Sequence, residues 1–192
     1  MNLTKLFETQ RVLDERIMEK HPELKGQNNL DWKTLALQVE LGECANEWRG
    51  FKKWSNDQES RTQVLMDNPD KTDKNKPWIM RNPLLEEYVD CLHFILSIGL
   101  ELKLEDLKYN FAKNGLRDSL EAFRHVFNWA VNLDFVAIEA PFLVPKKFEK
   151  MYRNLFMSFV WLGEMLGFTW EQIEAAYYEK NEINHERQES GY

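Results

Sequence analysis

Two short carboxylate motifs are the features of this sequence best suited to chemistry. Glu40 and Glu43 are three residues apart, and so are Glu87 and Asp90. Side chains three residues apart lie on one face of a helix, so each motif presents two carboxylates together. Carboxylates that share a confined space repel one another, and a divalent cation would relieve that repulsion. Ligation by oxygen alone favours magnesium, manganese or calcium over zinc.

Either motif alone is also compatible with an ordinary solvated helix face, since charged residues normally point into water. Two features favour the cation site. A long polar stretch separates the two motifs, and apolar residues flank both of them, namely Leu41, Cys44, Val89, Cys91 and Leu92. We therefore predict two largely buried helices whose carboxylates point inward.

The spacing of apolar residues predicts the helices that must position these motifs. A first helix ends near Pro22, and a second helix runs from a cap at Asn29 or Asp31 to about Phe51. The pair Asn82-Pro83 is typical of a helix start, and it opens a third helix that continues to about Leu100. The polar residues 52–82 predict a loop, which we expect to order over a bound ligand as a lid.

The second half of the chain also has helical spacing. Residues 104–133 predict two helices with a break near Asn114-Gly115, and residues 134–145 predict a loop bounded by prolines. A further helix spans about 146–166. Thr169 and Gln172 have the spacing of a capping box for a last helix. The fold class expected is all-α, with six or seven helices.

Bulk composition narrows the classes of function. The 192 residues are 43% hydrophobic and 30% charged, which fits one globular domain over residues 1–192. A net charge of −7 argues against a broad nucleic-acid surface. Cys44 and Cys91 lack a CxxC spacing and no apolar signal segment opens the chain, which favours the cytoplasm. The apolar stretches fall short of the ~20 residues that a membrane span needs.

Together with other stretches, the two motifs resemble those of the all-helical nucleoside triphosphate pyrophosphohydrolases, specifically the dimeric dUTPases. The metal motif is shared with MazG-type relatives, whereas the terminal segment is more specific to dUTPases. The agreeing stretches are Gln10 with Leu13-Asp14, Phe51-Lys52-Lys53-Trp54, His93-Phe94 and residues 178–192. This resemblance covers most of the chain and implies a four-helix catalytic core with additional helices.

The resemblance implies an enzyme that hydrolyses dUTP to dUMP and pyrophosphate and leaves activity on dUDP open. In that family the motif carboxylates hold magnesium ions that bridge the triphosphate, which assigns Glu40, Glu43, Glu87 and Asp90 as ligands. Manganese is an alternative ion. Glu40 is also our candidate for the base, since a carboxylate beside the metal can orient a water and accept its proton. The family also implies a homodimer, for which the apolar residues 123–144 are the candidate accessory surface.

Substrate contacts are predicted on the last helix. Lys180, Asn184 and Arg187 fall on one of its faces and suit phosphate. By resemblance they bind the phosphates and sugar, together with Asn181, Gln188 and Tyr192. A solvated, frayed terminal helix is the alternative.

Candidates for recognition of the base come from three other parts of the chain. Gln10 carries an amide that can pair with a uracil edge, and Trp54 and His93 offer aromatic rings. For His93, a satisfied core histidine is the alternative.

Three other functions remain open from the sequence. A MazG-like pyrophosphohydrolase of different or broader nucleotide specificity would carry the same metal motif. A di-iron carboxylate bundle would use Asp90 and His93, but that class needs two Glu-x-x-His motifs on separate helices. A helical interaction protein with no catalysis would use the same charges only for solubility.

Overall fold

The computed structural model describes residues 2–68, 75–109, 111, 115–139 and 145–191 of the chain. Helices hold most of these residues, which confirms the all-α fold. Within the described ranges, no helix is both long and apolar enough to span a membrane. The helices are α1 (Leu3–Lys20), a 3-10 turn (Pro22–Leu24), α2 (Leu30–Trp48), α3 (Pro83–Glu101), α4 (Ser119–Glu139), α5 (Pro145–Met165) and α6 (Trp170–Ser190), and β1 (Val64–Asp67) and β2 (Trp78–Arg81) form one hairpin.

Helix α3 is the centre of the packing. It contacts α1, α2 and α6 and, less extensively, α5, while α4 packs against both α2 and α5. Buried residues occupy nearly every side of α3, so it must be enclosed by other helices to remove that apolar surface from water. Its Tyr88 stacks on Phe159 of α5 at 4.2 Å, and a Cβ at Gly163 would lie only 2.4 Å from the Tyr88 hydroxyl. A glycine at position 163 is therefore needed for this close approach.

Local signals set several helix ends as predicted. The Asn82 side chain accepts a hydrogen bond from the Leu85 amide and Pro83 occupies the first turn of α3. Thr169 and Gln172 form the full capping box at the start of α6. Asn29 does precede α2, but its side chain makes no cap hydrogen bond there.

The prediction of a loop over residues 52–82 is wrong in part, because a hairpin forms within it. Leu65 pairs with Met80 and Met66 with Ile79 in an antiparallel register. The polar composition between the two strands suggested a loop, whereas the short apolar stretches at its ends carry enough β-propensity to pair. Residues 69–74, within the predicted loop, lie outside the described residues.

The boundaries of α4 also differ from the prediction. The described part of 104–118 is not helical, because Lys103 adopts a left-handed conformation and the Leu104 amide bonds the Gly99 carbonyl, which ends α3. Apolar residues after this point cover the core without forming a helix. The loop predicted from residue 134 is wrong as far as Glu139, since α4 continues there. Asp134 accepts a 2.6 Å hydrogen bond from Thr34 of α2, which ties the two helices together.

Candidate functional site

A group of three carboxylates forms where α2 meets α3. Glu40, Glu87 and Asp90 each place one carboxylate oxygen within 4.8 Å of those of the other two. All three side chains are half-buried. The packing of α2 against α3 thus brings the two sequence motifs together as predicted. Glu43 is exposed and lies outside this close group.

The electrostatics of the group show a shortage of positive charge. Burial raises the pKa of Glu40 to about 7, and the charges of Asp90 and Glu43 add to the effect. Burial likewise raises the pKa of Glu87 to about 7, with the neighbouring carboxylates contributing. Although Glu43 is not in the close group, its charge therefore acts on two of its members. Lys180 lowers the pKa of both Glu40 and Glu87.

Helix α6 supplies a cation to this group. The Lys180 ammonium nitrogen lies 2.5 Å from Asp90 Oδ2. Burial raises the pKa of Asp90, and the hydrogen bond from Lys180 opposes that rise. Further along α6, Asn184 and Arg187 line the adjoining cavity. Helix α6 continues to Ser190, which favours an ordered terminal helix over a frayed one.

The carboxylate group fits a hard divalent cation. Its ligand atoms are all oxygens, it is partly withdrawn from water, and its members raise one another's pKa. A magnesium or manganese ion would neutralise that repulsion and is the kind of ion that oxygen ligands select. Glu40, Glu87 and Asp90 are the residues that would hold it, with Glu43 beside them.

A cavity of about 400 Å³ adjoins the carboxylates, within the size range of small-ligand sites. Its wall combines two members of the carboxylate group with apolar side chains and with cationic and amide groups. The lining residues are Gln10, Leu13, Asp14, Ile17, Met18, Trp32, Lys33, Glu40, Asp90, His93, Phe94, Ser97, Asn184, Arg187 and Gln188. A ligand in this cavity would meet carboxylates from α2 and α3, polar groups from α1, and one guanidinium and two amide groups from α6.

Two predicted base-recognition residues meet in a buried polar network at one side of this cavity. Gln10 Oε1 lies 2.9 Å from His93 Nδ1 and accepts a 3.0 Å hydrogen bond from the Tyr177 hydroxyl. Gln10 Nε2 donates to Asp14 at 2.7 Å, and the Ser97 hydroxyl donates to the other oxygen of Asp14 at 2.6 Å. Burial lowers the pKa of His93 to about 3, with a further contribution from Lys180 and an opposing one from the Tyr177 backbone.

Other predicted residues lie apart from the cavity. Trp54 is 78% exposed, packs edge-on against Phe51 and does not line the cavity. Asn181 is buried, and its amide nitrogen has no hydrogen-bond partner among the described residues. Tyr192 lies outside the described residues.

A Glu-x-x-His motif, as a di-iron site requires, does not reach the carboxylate group among the described residues. A Glu-x-x-His spacing occurs on α6 at Glu182 and His185. Neither residue belongs to the carboxylate group or lines the cavity, within the described part of the chain. The structure therefore gives no support to the di-iron alternative.

Several groups at the site have no role predicted from the sequence. Lys33 is buried on α2, 2.8 Å from Glu101 and 3.7 Å from Asp14. Its spacing of seven residues from Glu40 places both on one face, which was a usable signal. Ser97, likewise, is seven residues after Asp90 on α3. Tyr177 had no such signal, because the side chains it contacts are far away in sequence.

Comparison with known proteins found one family model that matches this chain. A family model described as dUTPase matches residues 2–68 and 71–192 of the chain. Neither the curated proteins nor the solved structures gave a significant match. The matched residues include the carboxylate group, Gln10, His93 and all of α6, so the family model spans the elements that build the cavity.

Proposed function

The chain belongs to the all-α dUTPase family, which indicates dUTP diphosphatase activity, and from that premise we propose a magnesium-dependent hydrolysis of dUTP to dUMP and pyrophosphate. The observation that carries this proposal is the convergence of Glu40, Glu87 and Asp90 beside Lys180 at a cavity of nucleotide-binding size. Manganese is a plausible substitute ion, because it accepts the same oxygen ligands.

In this proposal each charged group has a separate task. Bound magnesium would neutralise the carboxylates, polarise phosphate oxygens and make the attacking water more acidic. Glu40 orients that water and accepts its proton. Lys180 and Arg187 donate charged hydrogen bonds to phosphate oxygens, with Asn184 beside them. Glu43 is proposed as a ligand at the exposed edge of the group, which its electrostatic effect on Glu40 and Glu87 supports.

Recognition of the sugar and base is assigned to the cavity and its margins. Gln10 and His93 line the cavity and are proposed to face the uracil ring. Trp54 is proposed to contribute from the segment after α2, where its exposed ring is available for stacking. Asn181 and Tyr192 are proposed to complete the contacts of α6. We also propose that residues 1–192 act as a single domain, in the reducing cytoplasm that the free cysteines suit.

A nucleotide panel tests the activity directly. We expect release of pyrophosphate from dUTP with magnesium, at a kcat/KM at least about tenfold above those for dTTP, dCTP and UTP, because the proposed contacts of the cavity would distinguish both base and sugar. Removal of the metal by a chelator should abolish turnover. Including dUDP in the panel shows whether two phosphates suffice.

The outcomes of that panel separate the alternatives. Equal turnover of all nucleotides would favour a MazG-like pyrophosphohydrolase of broad specificity over an enzyme specific for dUTP. No turnover with any nucleotide, with the metal present and the protein folded, would favour the non-catalytic interaction protein.

We further propose that the protein is a homodimer. Leu35 and Val39 on α2 and Val131 and Phe135 on α4 are exposed apolar side chains on two helices that pack together. Such a surface is typical of a protein contact, and two of its residues, Val131 and Phe135, belong to the accessory segment 123–144. Light scattering is expected to give twice the chain mass of 23.0 kDa. Phe135→Glu should yield monomers, whereas Met80→Glu on the hairpin should not; a monomeric parent protein would contradict the proposal.

A further inference from the structure

In the polar network beside the cavity, Asp14 determines which groups donate hydrogen bonds and which accept them. A carboxylate can only accept hydrogen bonds, so both groups within bonding distance of Asp14 must donate to it. These donors are the Gln10 side-chain nitrogen at 2.7 Å and the Ser97 hydroxyl at 2.6 Å. Burial raises the pKa of Asp14, and the Lys33 ammonium at 3.7 Å and the two hydrogen bonds oppose that rise by favouring the carboxylate. The amide of Gln10 is therefore held with its nitrogen towards Asp14.

The opposite side of the Gln10 amide is its oxygen, which receives two donors. The Tyr177 hydroxyl donates to it at 3.0 Å. Burial raises the pKa of Tyr177, so its phenol keeps the proton that it donates. The second neighbour is His93 Nδ1 at 2.9 Å, and an amide oxygen accepts but cannot donate. His93 must consequently carry a proton on Nδ1.

The other nitrogen of His93 is then a bare acceptor. Burial lowers the pKa of His93 to about 3, so the ring is neutral near pH 7 and has only one N–H. The Tyr177 ring stacks on the imidazole with centroids 4.3 Å apart, which restrains its plane. His93 Nε2 is buried and has no hydrogen-bond partner among the described residues. A buried acceptor without a partner is uncommon in a native protein and points to a ligand that completes it.

We propose that Asp14 and Tyr177 are positioning residues that act through Gln10 to keep the His93 proton on Nδ1, so that Nε2 is presented to an N–H group of the pyrimidine base. This inference rests on the proposed function, since it names how the same cavity reads its base. Uracil has an N–H at ring position 3, whereas the corresponding nitrogen of cytosine is an acceptor. An acceptor at this position would therefore pair with uracil and oppose the ring nitrogen of cytosine.

The test combines spectroscopy with kinetics. In protein labelled with ¹⁵N-histidine and free of nucleotide, we expect the His93 ring to show a protonated Nδ1 and an unprotonated Nε2. In Asp14→Asn the new amide can face Gln10 by either end, so the His93 signals should shift towards a mixture of tautomers. The preference for dUTP over dCTP should fall about tenfold, mainly through a higher KM for dUTP, as the loss of one hydrogen bond implies.

Two further variants make the result specific. Tyr177→Phe keeps the ring stack but removes the hydroxyl donor, and it should change the His93 signals in the same direction. Glu8→Gln removes an exposed carboxylate of α1 and should leave both the spectrum and the preference unchanged. A parent protein with the His93 proton on Nε2, or an Asp14→Asn variant with unaltered tautomer and preference, would overturn the inference. If the parent protein did not prefer dUTP, the proposed function would fail, while the spectra would still decide the tautomer.

Discussion

Glu87→Gln is expected to lower kcat/KM for dUTP by at least about a thousandfold, which corresponds to ~4 kcal/mol of lost transition-state stabilisation. Glutamine keeps the size of the side chain but removes the negative charge and one strong metal-ligating oxygen. Glu87 is one of three carboxylates whose oxygens lie within 4.8 Å of one another, and among the described residues this close group has no fourth member that could replace it. Negative charge develops on the phosphate in the transition state, and a bound metal ion would stabilise it. Loss of that stabilisation is the reason for the size of the effect.

The neighbouring residue offers a matched control for this variant. Glu86 precedes Glu87 on α3, but its carboxylate pairs with Arg81 of β2 and is not in the close group. Glu86→Gln makes the same chemical change one position away and is expected to alter kcat/KM by less than about threefold, as for a partly exposed ion pair. Magnesium binding should be followed by calorimetry in both variants. Similar losses in Glu86→Gln and Glu87→Gln would argue against the carboxylate group as the metal site.

The helices that carry the site were predictable because their signals are local. The cap at Asn82 and the capping box at Thr169 satisfy amides within one helical turn, so a short stretch of sequence defines them. Residues 104–118 were predicted as helix from apolar spacing alone. There the Lys103 turn ends α3, and the apolar side chains that follow pack against the core without a helix. Spacing reports which residues need burial, but not which backbone conformation buries them.

The same distinction between local and long-range signals applies to the residues of the site. Glu40, Glu87 and Asp90 could be predicted as candidate ligands, because a spacing of three on a helix places Glu40 beside Glu43 and Glu87 beside Asp90. Glu43 shares that spacing yet remains exposed, since the exact rotation of α2 against α3 is a property of tertiary packing. The contacts of Gln10 with His93 and Tyr177 join residues 83 and 167 positions apart. No local pattern contains such contacts, so the network that orders the cavity became visible only in three dimensions.

Lys180→Met is expected to lower the stability of the metal-free protein by about 2 kcal/mol, or roughly 4–8 °C in Tm for a chain of this size. The Lys180 ammonium lies 2.5 Å from Asp90, and it also lowers the pKa of Glu40 and Glu87. Without it the carboxylates would face one another with less compensation. The same change should lower kcat/KM for dUTP by about a hundredfold, since a charged donor to the phosphates is lost.

The stability effect has a defined dependence on pH. The pKa values of Glu40 and Glu87 are raised to about 7 in the folded protein from 4.5, so the folded state binds more protons than the unfolded state between these values. The stability of the metal-free protein should therefore fall as pH rises from about 5 through 7. The deficit of Lys180→Met should be smaller at pH 5, where Glu40 and Glu87 are protonated, than at pH 8, where they are charged.

Magnesium provides the decisive comparison for this variant, because a bound cation would supply the positive charge that Lys180→Met removes. Thermal unfolding with saturating magnesium should show a much smaller difference between the variant and the parent protein than unfolding with a chelator. Lys150→Met, which removes an exposed lysine of α5, should leave Tm nearly unchanged in both conditions. A deficit that is equal with and without magnesium would mean that Lys180 stabilises the fold by packing. In that case the Lys180 ammonium and the metal ion would not neutralise the same carboxylates.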